Sequence, residues 1–306
     1  MTLPLIHDSL IYAPEVAAAK AAGRPLVALE STIITHGMPF PQNVETARAV
    51  EAEVRAAGAV PATIAVMDGA IHIGLEAAQL DRLGQAQGVM KLSRADLAVC
   101  LATGRIGATT VAATMICAHL AGISVFATGG IGGVHRGAEL SFDVSADLQE
   151  LAQTPVSVVA AGAKAILDLP KTLEVLETLG VPVIAVGQDD LPAFWSRSSG
   201  LKAPLRLDDP AQIAAAHRMR AALGLKGGQL VVNPIPLEAE IPRYVMMPVV
   251  EAALAEAAAQ GISAKEVTPF LLDRIFAATE GRSLTANIDL VLANARLAAK
   301  IAAHLV

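Results

Sequence analysis

The sequence predicts an α/β protein in which a three-layer α/β/α arrangement is built on a largely parallel central sheet. Short runs rich in Val and Ile alternate with helical stretches from residue 25 to residue 232, and such alternation is typical of parallel strands joined by helices. Beyond residue 240 the pattern predicts only helices, near 242–259, 264–278 and 284–304, which we expect to pack on the sheet as an all-helical C-terminal tail. No repeat or linker divides the chain, so residues 1–306 are expected to form a single domain.

Local signals predict each element in the first part of the chain. The helix at 43–57 has Asn43 as its cap and Gly58 as its stop. Asp68 and Gly69 predict the turn of a hairpin within residues 62–73. The remaining predictions are a helix at 10–23, a central β-branched strand at 25–35, a helix near 75–83, a strand at 89–92, an extended apolar segment at 96–103 and a helix at 107–120.

The second part of the chain begins with a strand at 123–127 that leads into a glycine-rich stretch. Asp147, with Glu150 three residues later, predicts a capping box at the start of a helix at 147–153. Residues 188–209 predict an irregular loop, which is a candidate lid. The other predictions are strands at 156–160, 181–186 and 230–232 and helices near 163–168, 171–179 and 210–222.

Composition excludes several classes of protein. Aromatic residues make up only 3% of a chain that is 54% hydrophobic, so the core is expected to consist mainly of Ala, Val, Leu and Ile. The net charge of −6 and the lack of a basic block argue against a nucleic-acid partner. Cys100 and Cys117 lie in apolar surroundings without metal-ligand spacing, which indicates a reduced, cytoplasmic protein. No signal-peptide pattern and no apolar run of about 20 residues is present, so no membrane partner is expected.

The glycine-rich stretch from Phe126 to Asp147 is the strongest candidate for a binding site. Glycines directly after a strand let backbone N–H groups approach an anion closely, and Lys91, His135 and Arg136 can supply positive charge. The stretch therefore predicts a phosphate or phosphosugar site. The alternative is an ordinary glycine-rich turn that binds nothing, and the dinucleotide-binding fingerprint fits poorly because no helix follows the glycines directly.

Four other residues are candidates for chemistry, each with a structural alternative. Glu30 lies in the first predicted strand and is either a general acid or the partner of a salt bridge. Lys164 lies near a predicted helix N-terminus, where a neutral amine able to form an imine is favoured, or its side chain reaches solvent. Asp143 is either a ligand for Mg²⁺ or Mn²⁺ or a solvated turn residue. His36 either lines the same site or is an ordinary loop histidine.

Seven segments taken in order resemble the pseudouridine-5′-phosphate glycosidase family, also called indigoidine synthase A-like. The similarity spans nearly the whole chain and is more specific than any single motif. The matching segments are ALESTIITHGMP at 28–39, VMDGAIHIGL at 66–75, VMKLSRADL at 89–97, GATTVAATM at 107–115, FATGGIGGVHRGAELSFDVSADL at 126–148, AGAKAILDLPKTLE at 161–174 and the tail ANIDLVLANARLAAKIA.

This resemblance implies reversible cleavage of pseudouridine 5′-phosphate to uracil and ribose 5-phosphate by a homotrimer that uses a divalent metal, usually Mn²⁺. By position, Lys164 corresponds to the imine-forming lysine, Glu30 to the proton donor and Asp143 to the metal ligand. The positions that match the substrate-binding pocket are Lys91, Val111, Thr128, His135, Ser145, Ala146, Asp147 and Asn287.

Two alternative functions remain compatible with the residues themselves. A sugar or nucleoside kinase shares this α/β character, although the sequence has no Gly-x-x-x-x-Gly-Lys-Ser/Thr loop. A sugar-phosphate binding protein without catalytic activity has no need for Glu30 or Lys164. ATP consumption would identify the kinase, and substrate binding without turnover would identify the binding protein.

Overall fold

A computed structural model describes residues 9–262 and 267–306 of the chain, without the side chains of residues 268 and 269. Within these residues eleven strands form one sheet. The strands are β1 (Leu10–Tyr12), β2 (Leu26–Leu29), β3 (Val60–Met67), β4 (Ala70–Ile73), β5 (Met90–Leu92), β6 (Gly107–Thr109), β7 (Val125–Ala127), β8 (Ser157–Ala160), β9 (Val183–Ala185), β10 (Leu205–Arg206) and β11 (Gln229–Val232).

Thirteen α-helices accompany the strands in the described part of the chain. They are α1 (Pro14–Ala21), α2 (Thr32–His36), α3 (Gln42–Ala56), α4 (Ala77–Gln85), α5 (Arg94–Thr103), α6 (Val111–Ala121), α7 (Ala138–Ser141), α8 (Ala146–Gln153), α9 (Leu169–Thr178), α10 (Pro210–Ala222), α11 (Arg243–Ala259), α12 (Val267–Ala278) and α13 (Arg282–Ala302). None of these helices combines the length and the apolar content needed to span a bilayer.

The strand order β1-β4-β3-β2-β7-β8-β11-β9-β10 confirms the largely parallel sheet. Only the pairings of β3 with β4 and of β3 with β6 are antiparallel among the described strands. β2, β7, β8 and β11 lie side by side and run in the same direction. Their carboxyl ends therefore meet at one edge, which is where open α/β sheets bind ligands.

Helices cover both faces of the sheet, and the all-helical C-terminal tail packs on this body as predicted. The helix α13 lies against β2, β7 and β8 and also contacts α3 and α10. Its inner face is buried, with Leu290, Ala295 and Ala298 among the core residues. The first residues of the predicted helix at 264–278 lie outside the described residues, and α12 is described from Val267 onward.

The predicted strand at 25–35 ends early, because its second half folds into the short helix α2. Ile34 is buried in a small separate core with Val44 and Leu80. Asn43, predicted as the cap of the next helix, lies inside α3 and donates through Nδ2 to the Ile34 carbonyl oxygen at 2.7 Å. Packing and this hydrogen bond outweigh the strand preference of the β-branched residues.

The apolar segment at 96–103, predicted as extended, is helical and forms most of α5. Ser93 and Asp96 make a reciprocal capping box at its start, and Gly104 ends it in the left-handed conformation with φ of 64°. The predicted helix at 107–120 likewise begins only at α6, since its first residues form β6 beside β5. Both corrections trace to caps and strand pairing, which hydrophobicity alone does not reveal.

Candidate active site

The carboxyl ends of β2, β7 and β8 border a cavity of about 380 Å³. Every site residue implied by the family resemblance lines this cavity except Thr128, which lies just behind its wall beside Glu30. Arg136, considered from the sequence as a source of positive charge, lines a different cavity. The lining members are Glu30, Lys91, Val111, His135, Asp143, Ser145, Ala146, Asp147, Lys164 and Asn287. The fold thus brings these residues together, while their individual roles stay predictions.

Two threonine hydroxyls hold the Glu30 carboxylate in the cavity wall. Thr32 donates to Oε2 of Glu30 and Thr128 donates to Oε1. The following residue is also fixed, because the Ser31 hydroxyl donates to the Ile64 carbonyl oxygen at 2.7 Å. Glu30 forms no salt bridge with a described residue, so neutral donors orient a carboxylate that faces the cavity.

Lys164 lies in a turn after β8 and not at a helix N-terminus, so the predicted helix near 163–168 is wrong. Its N–H donates to the Ile131 carbonyl oxygen at 3.1 Å, and the helix α9 begins only after Asp168. The neighbouring Ala163 pairs with Ile131 and extends the strand pairing, which prevents helix formation here. The dipole argument for a neutral amine therefore fails, but Lys164 is half-buried between buried neighbours and lines the cavity.

The side chain of Asp147 joins the glycine-rich stretch to the start of α6. Its Oδ1 accepts from the Ala112 N–H at 2.9 Å, and its Oδ2 accepts from the Gly132 N–H at 2.8 Å. The cap of α8 is Ser145, whose hydroxyl accepts from the Asp147 N–H at 3.2 Å. The predicted capping by Asp147 is therefore wrong, since this carboxylate is used between elements.

Several N–H groups of the glycine-rich stretch already have partners within the protein. Besides Gly132, the Ile131 N–H donates to the Gly162 carbonyl oxygen at 3.1 Å, and the Val134 N–H donates to the Thr172 hydroxyl at 3.0 Å. A Cβ on Gly130 would lie 2.7 Å from two ring carbons of Phe194. Several of these glycines therefore allow the cavity walls to pack closely, and their backbone N–H groups do not form a phosphate-binding loop.

The starts of α6 and α8 are better suited to bind an anion. Val111 and Ala146 are the first residues of these helices, and the N–H group of a first helical residue has no partner within the helix. The next N–H groups, those of Ala112 and Asp147, already donate to the Asp147 carboxylate and the Ser145 hydroxyl. Lys91 lies nearby in β5, because the Thr110 N–H donates to the Leu92 carbonyl oxygen at 3.0 Å. We call Lys91, Val111, Ser145 and Ala146 the anion end of the cavity. A lysine and two helix N-termini favour a phosphate there.

Asp143 lines the cavity beside His135, with 3.9 Å between its Oδ2 and Nδ1 of the histidine. The Asp143 side chain is 39% exposed. The backbone N–H of His135 donates to the backbone carbonyl oxygen of Asp143 at 3.0 Å. No group of three or more His, Cys, Asp or Glu side chains occurs at metal-binding distance among the described residues. One reachable carboxylate with space for water fits a hard divalent cation and does not fit zinc.

His36 is part of the cavity wall and not an ordinary loop residue. It ends α2, and its Nδ1 lies 2.6 Å from the Thr35 hydroxyl. Burial, and secondarily the charge of Lys91, lowers the pKa of His36. The imidazole is therefore neutral at pH 7 and adds no positive charge to the anion end.

The family of the chain follows from comparison with known sequences. A sequence model described as indigoidine synthase A like protein matches residues 15–304. The chain belongs to this family. Its members include the pseudouridine-5′-phosphate glycosidase of Paracoccus denitrificans (strain Pd 1222), which is 77% identical over 296 residues, or 96% of this chain and 97% of the relative. That of Roseobacter denitrificans (strain ATCC 33942 / OCh 114) is 71% identical over 304 residues, or 99% and 96% of the two chains.

Solved structures similar to this chain include members of the indigoidine synthase A-like family. The prealnumycin C-glycosynthase AlnA, crystallised with ribulose 5-phosphate, is 39% identical with a TM-score of 0.90, covering 97% of this chain and 96% of AlnA. An indigoidine synthase A-like protein from Thermotoga maritima is 33% identical with a TM-score of 0.87, covering 96% and 95%. The α/β architecture described above is the architecture of these relatives.

Several residues of the cavity region were not among those predicted from the sequence. Phe194 and Trp195 line the cavity, and they lie in the segment predicted as a lid. This segment is a fixed wall, since both side chains are buried. Asn294 is buried behind the cavity, where its Nδ2 donates to the Thr128 carbonyl oxygen at 2.8 Å. The sequence held a signal for each of these residues. Phe194 and Trp195 are adjacent aromatics in a chain with few aromatics, and Asn294 is a second asparagine seven residues after Asn287.

Proposed function

We propose that this chain catalyses the reversible cleavage of pseudouridine 5′-phosphate to uracil and ribose 5-phosphate. One observation carries the proposal. The Glu30 carboxylate held by two threonine hydroxyls, the Lys164 amine and the anion end all line one cavity at the carboxyl edge of the sheet. The relatives that are more than 70% identical carry the name of this activity. A sugar phosphate and a carbon-linked base together require those three kinds of group.

The carbon-linked base explains the need for a lysine. The scissile bond joins C5 of uracil to C1′ of ribose, so no heteroatom is available for an ordinary carboxylate pair to protonate. In the proposed reaction the C1′–O4′ bond opens as Nζ of Lys164 bonds to C1′. The C1′–C5 bond then breaks while C5 takes a proton, and the nitrogen lone pair forms a C1′=N iminium. Water hydrolyses the iminium to ribose 5-phosphate and frees Lys164.

Glu30 is the proposed proton donor for these steps. Its carboxyl group delivers a proton to O4′ during ring opening, takes a proton back from the Lys164 nitrogen once that nitrogen is bonded to C1′, and then delivers this proton to C5 of the departing uracil. The hydroxyls of Thr32 and Thr128 support this role, because they hold both carboxyl oxygens in one orientation towards the cavity. A fixed orientation reduces the cost of reaching the transition-state geometry.

A divalent cation is proposed as the cofactor, held by Asp143 with water in most of the remaining positions. The cation is Mn²⁺ or another hard ion such as Mg²⁺. When bound, it supplies positive charge that binds and orients anionic oxygens of the substrate. Asp143 itself contributes a partly exposed carboxylate at the cavity wall, where solvent can complete the shell of the ion.

We further propose a cytoplasmic homotrimer in which residues 1–306 form one domain. The match of the family sequence model to residues 15–304 supports a single domain. Free, buried Cys100 and Cys117 support a reducing compartment. Leu140 and Phe142 are 88% and 85% exposed close to Asp143, and large exposed apolar side chains of this kind support association with another subunit.

The direct test is synthesis of the C-glycoside. The protein is incubated with uracil, ribose 5-phosphate and Mn²⁺, and the product is analysed by mass spectrometry and NMR. We expect pseudouridine 5′-phosphate with a bond from C1′ to C5. Absence of a C-glycoside, together with ATP consumption in the presence of a nucleoside, would replace the proposal with the kinase alternative.

The first prediction concerns the anion end. Lys91→Ala is expected to raise the KM for ribose 5-phosphate roughly ten- to hundredfold, which corresponds to loss of a hydrogen bond to a charged group. The kcat should change much less, since Lys91 is assigned to binding. Steady-state synthesis rates measure both constants. Lys202→Ala, which removes an exposed lysine paired with Asp190, is the matched control. An unchanged KM would contradict this assignment of the phosphate site.

The second prediction concerns the cation. Excess chelator is expected to abolish turnover and added Mn²⁺ to restore it, because Asp143 is the proposed protein ligand. In a calorimetric titration, Asp143→Ala should lose the Mn²⁺ binding seen in the unmodified protein. Asp81→Ala, which removes an exposed carboxylate paired with Arg48, should retain it. Full turnover in excess chelator would show that no cation takes part.

A further inference from the structure

Phe194 and Trp195 form a rigid aromatic pair in the wall of the cavity. Their ring centroids are 4.9 Å apart with an interplanar angle of 80°, which is the edge-to-face arrangement that aromatic rings favour. Trp195 is 2% exposed, and its Nε1 donates to the Ser283 carbonyl oxygen at 3.0 Å at the start of α13. The pair is therefore anchored to α13 by a hydrogen bond.

The backbone of Phe194 is held in an unfavourable conformation. Its φ is 60°, in the left-handed region that non-glycine residues rarely occupy. Two hydrogen bonds hold it there: the Phe194 N–H donates to the Ala161 carbonyl oxygen at 3.0 Å, and the Ala193 N–H donates to the Ser196 carbonyl oxygen at 2.9 Å. Residues strained in this way cluster at binding and active sites.

The strained turn inserts Phe194 between two catalytic segments. Its ring lies against Gly130, in the stretch after β7, where a Cβ would come within 2.7 Å of the ring. The backbone of Phe194 is bonded to Ala161, three residues before Lys164, and Gly130 itself lies close to the Gly162 carbonyl oxygen, since its Cβ would be 3.0 Å from that atom. Ile166, Leu167 and Leu272 also line the cavity. We call these three residues and the aromatic pair the apolar end.

We propose that Phe194 is a specificity-determining residue that recognises the planar base of the substrate through its aromatic ring. This inference rests on the proposed function. The anion end takes the phosphate, and Lys164 takes C1′, so the base must extend away from the phosphate. The apolar end offers the surface that a flat heterocycle prefers, and base–aromatic contacts of this type stabilise binding without hydrogen bonds.

The test compares inhibition by uracil and by 5,6-dihydrouracil, using cleavage of pseudouridine 5′-phosphate as the assay. Dihydrouracil keeps the carbonyl and N–H groups of uracil but loses the flat conjugated ring. We expect the unmodified enzyme to bind uracil more tightly. Phe194→Leu should weaken the binding of uracil about tenfold, which is within the usual range for base–aromatic contacts. It should also abolish the preference of the enzyme for uracil over dihydrouracil. Phe276→Leu, at a 45% exposed position on α12, is the matched control.

Borohydride trapping separates this inference from the proposed function. Ribose 5-phosphate alone should still form its adduct on Lys164 in Phe194→Leu, because the sugar half of the site does not need the base. If the unmodified protein forms no adduct and no C-glycoside, the proposed function fails. If it is active but binds uracil and dihydrouracil equally, the role of Phe194 fails alone, whether or not the variant folds. Unchanged uracil affinity in a folded Phe194→Leu enzyme would also overturn it.

Discussion

Replacement of Lys164 by alanine is expected to remove essentially all turnover while leaving substrate binding intact. In the proposed mechanism the amine forms the only covalent bond between enzyme and substrate, and its nitrogen lone pair forms the C1′=N iminium as the C1′–C5 bond breaks. The anion end is unchanged in this variant, so pseudouridine 5′-phosphate should still bind. Calorimetric titration measures the binding, and uracil release measures the turnover.

A chemical trap locates the covalent bond on one atom. Ribose 5-phosphate exposes an aldehyde when its ring opens, and borohydride reduces its imine to a stable secondary amine. Peptide mass mapping should then find one ribose-phosphate adduct on the peptide that contains Lys164. Lys171→Ala, in which an exposed lysine paired with Glu139 is lost, should keep the adduct. Full activity of Lys164→Ala without an adduct would remove the imine mechanism.

The substitution Glu30→Gln is expected to lower kcat by roughly 10²–10⁴-fold, the usual contribution of general acid–base catalysis. The amide keeps the shape of the side chain but cannot donate a carboxyl proton to uracil C5. Thr32 and Thr128 can still bond to the amide oxygen or reorient their hydroxyls towards its NH₂ group, so the thermal stability should change little. Steady-state kinetics and thermal melting measure the two effects.

Two controls make the Glu30 result specific. Glu51→Gln changes another carboxyl group that is buried and accepts from a threonine hydroxyl, that of Thr63 at 2.6 Å, but does not line the cavity. It should keep near-normal kcat. Free ribose 5-phosphate opens without enzyme, so Glu30→Gln should still form the Lys164 adduct. A folded Glu30→Gln protein with a normal rate would make Glu30 a structural residue.

The family resemblance alone implied Val111, Thr128, Ala146 and Asn287 as site residues. Local sequence patterns predicted the parallel sheet, the helical tail and the other residues that meet in the cavity. These succeed because strand ends, glycine clusters and polar residues in apolar runs are local signals. Glu30 is an example, since a carboxylate within an apolar run is costly unless it is paired or used. Its place at the carboxyl edge of the sheet became clear only from the structure, in which β2 ends at Leu29. Residues that form hydrogen bonds to parts of the chain distant in sequence give no local signal of that role. The bond of Asp147 to Ala112 and Gly132 and the clamp on Glu30 by Thr128 became visible only with the fold.

Two errors in the predicted elements have different physical origins. The turn at Lys164 was predicted as helix because alanine-rich segments favour helices, yet pairing of Ala163 with Ile131 overrides that preference. The extended prediction at 96–103 ignored the capping box of Ser93 and Asp96, which was present in the sequence. The first error needed tertiary information, whereas the second did not.

The position of Asn294 in the last helix has a consequence for biosynthesis. Its hydrogen bond to the Thr128 carbonyl oxygen spans 166 residues, and Thr128 in turn holds Glu30. Because the ribosome makes α13 after all the described strands, a nascent chain has all the residues of the sheet edge before it can fix their geometry. Contacts of such long sequence separation form slowly. Activity should therefore appear only after α13 has been synthesised, so nascent chains that lack α13 would not bind and cleave a nucleotide.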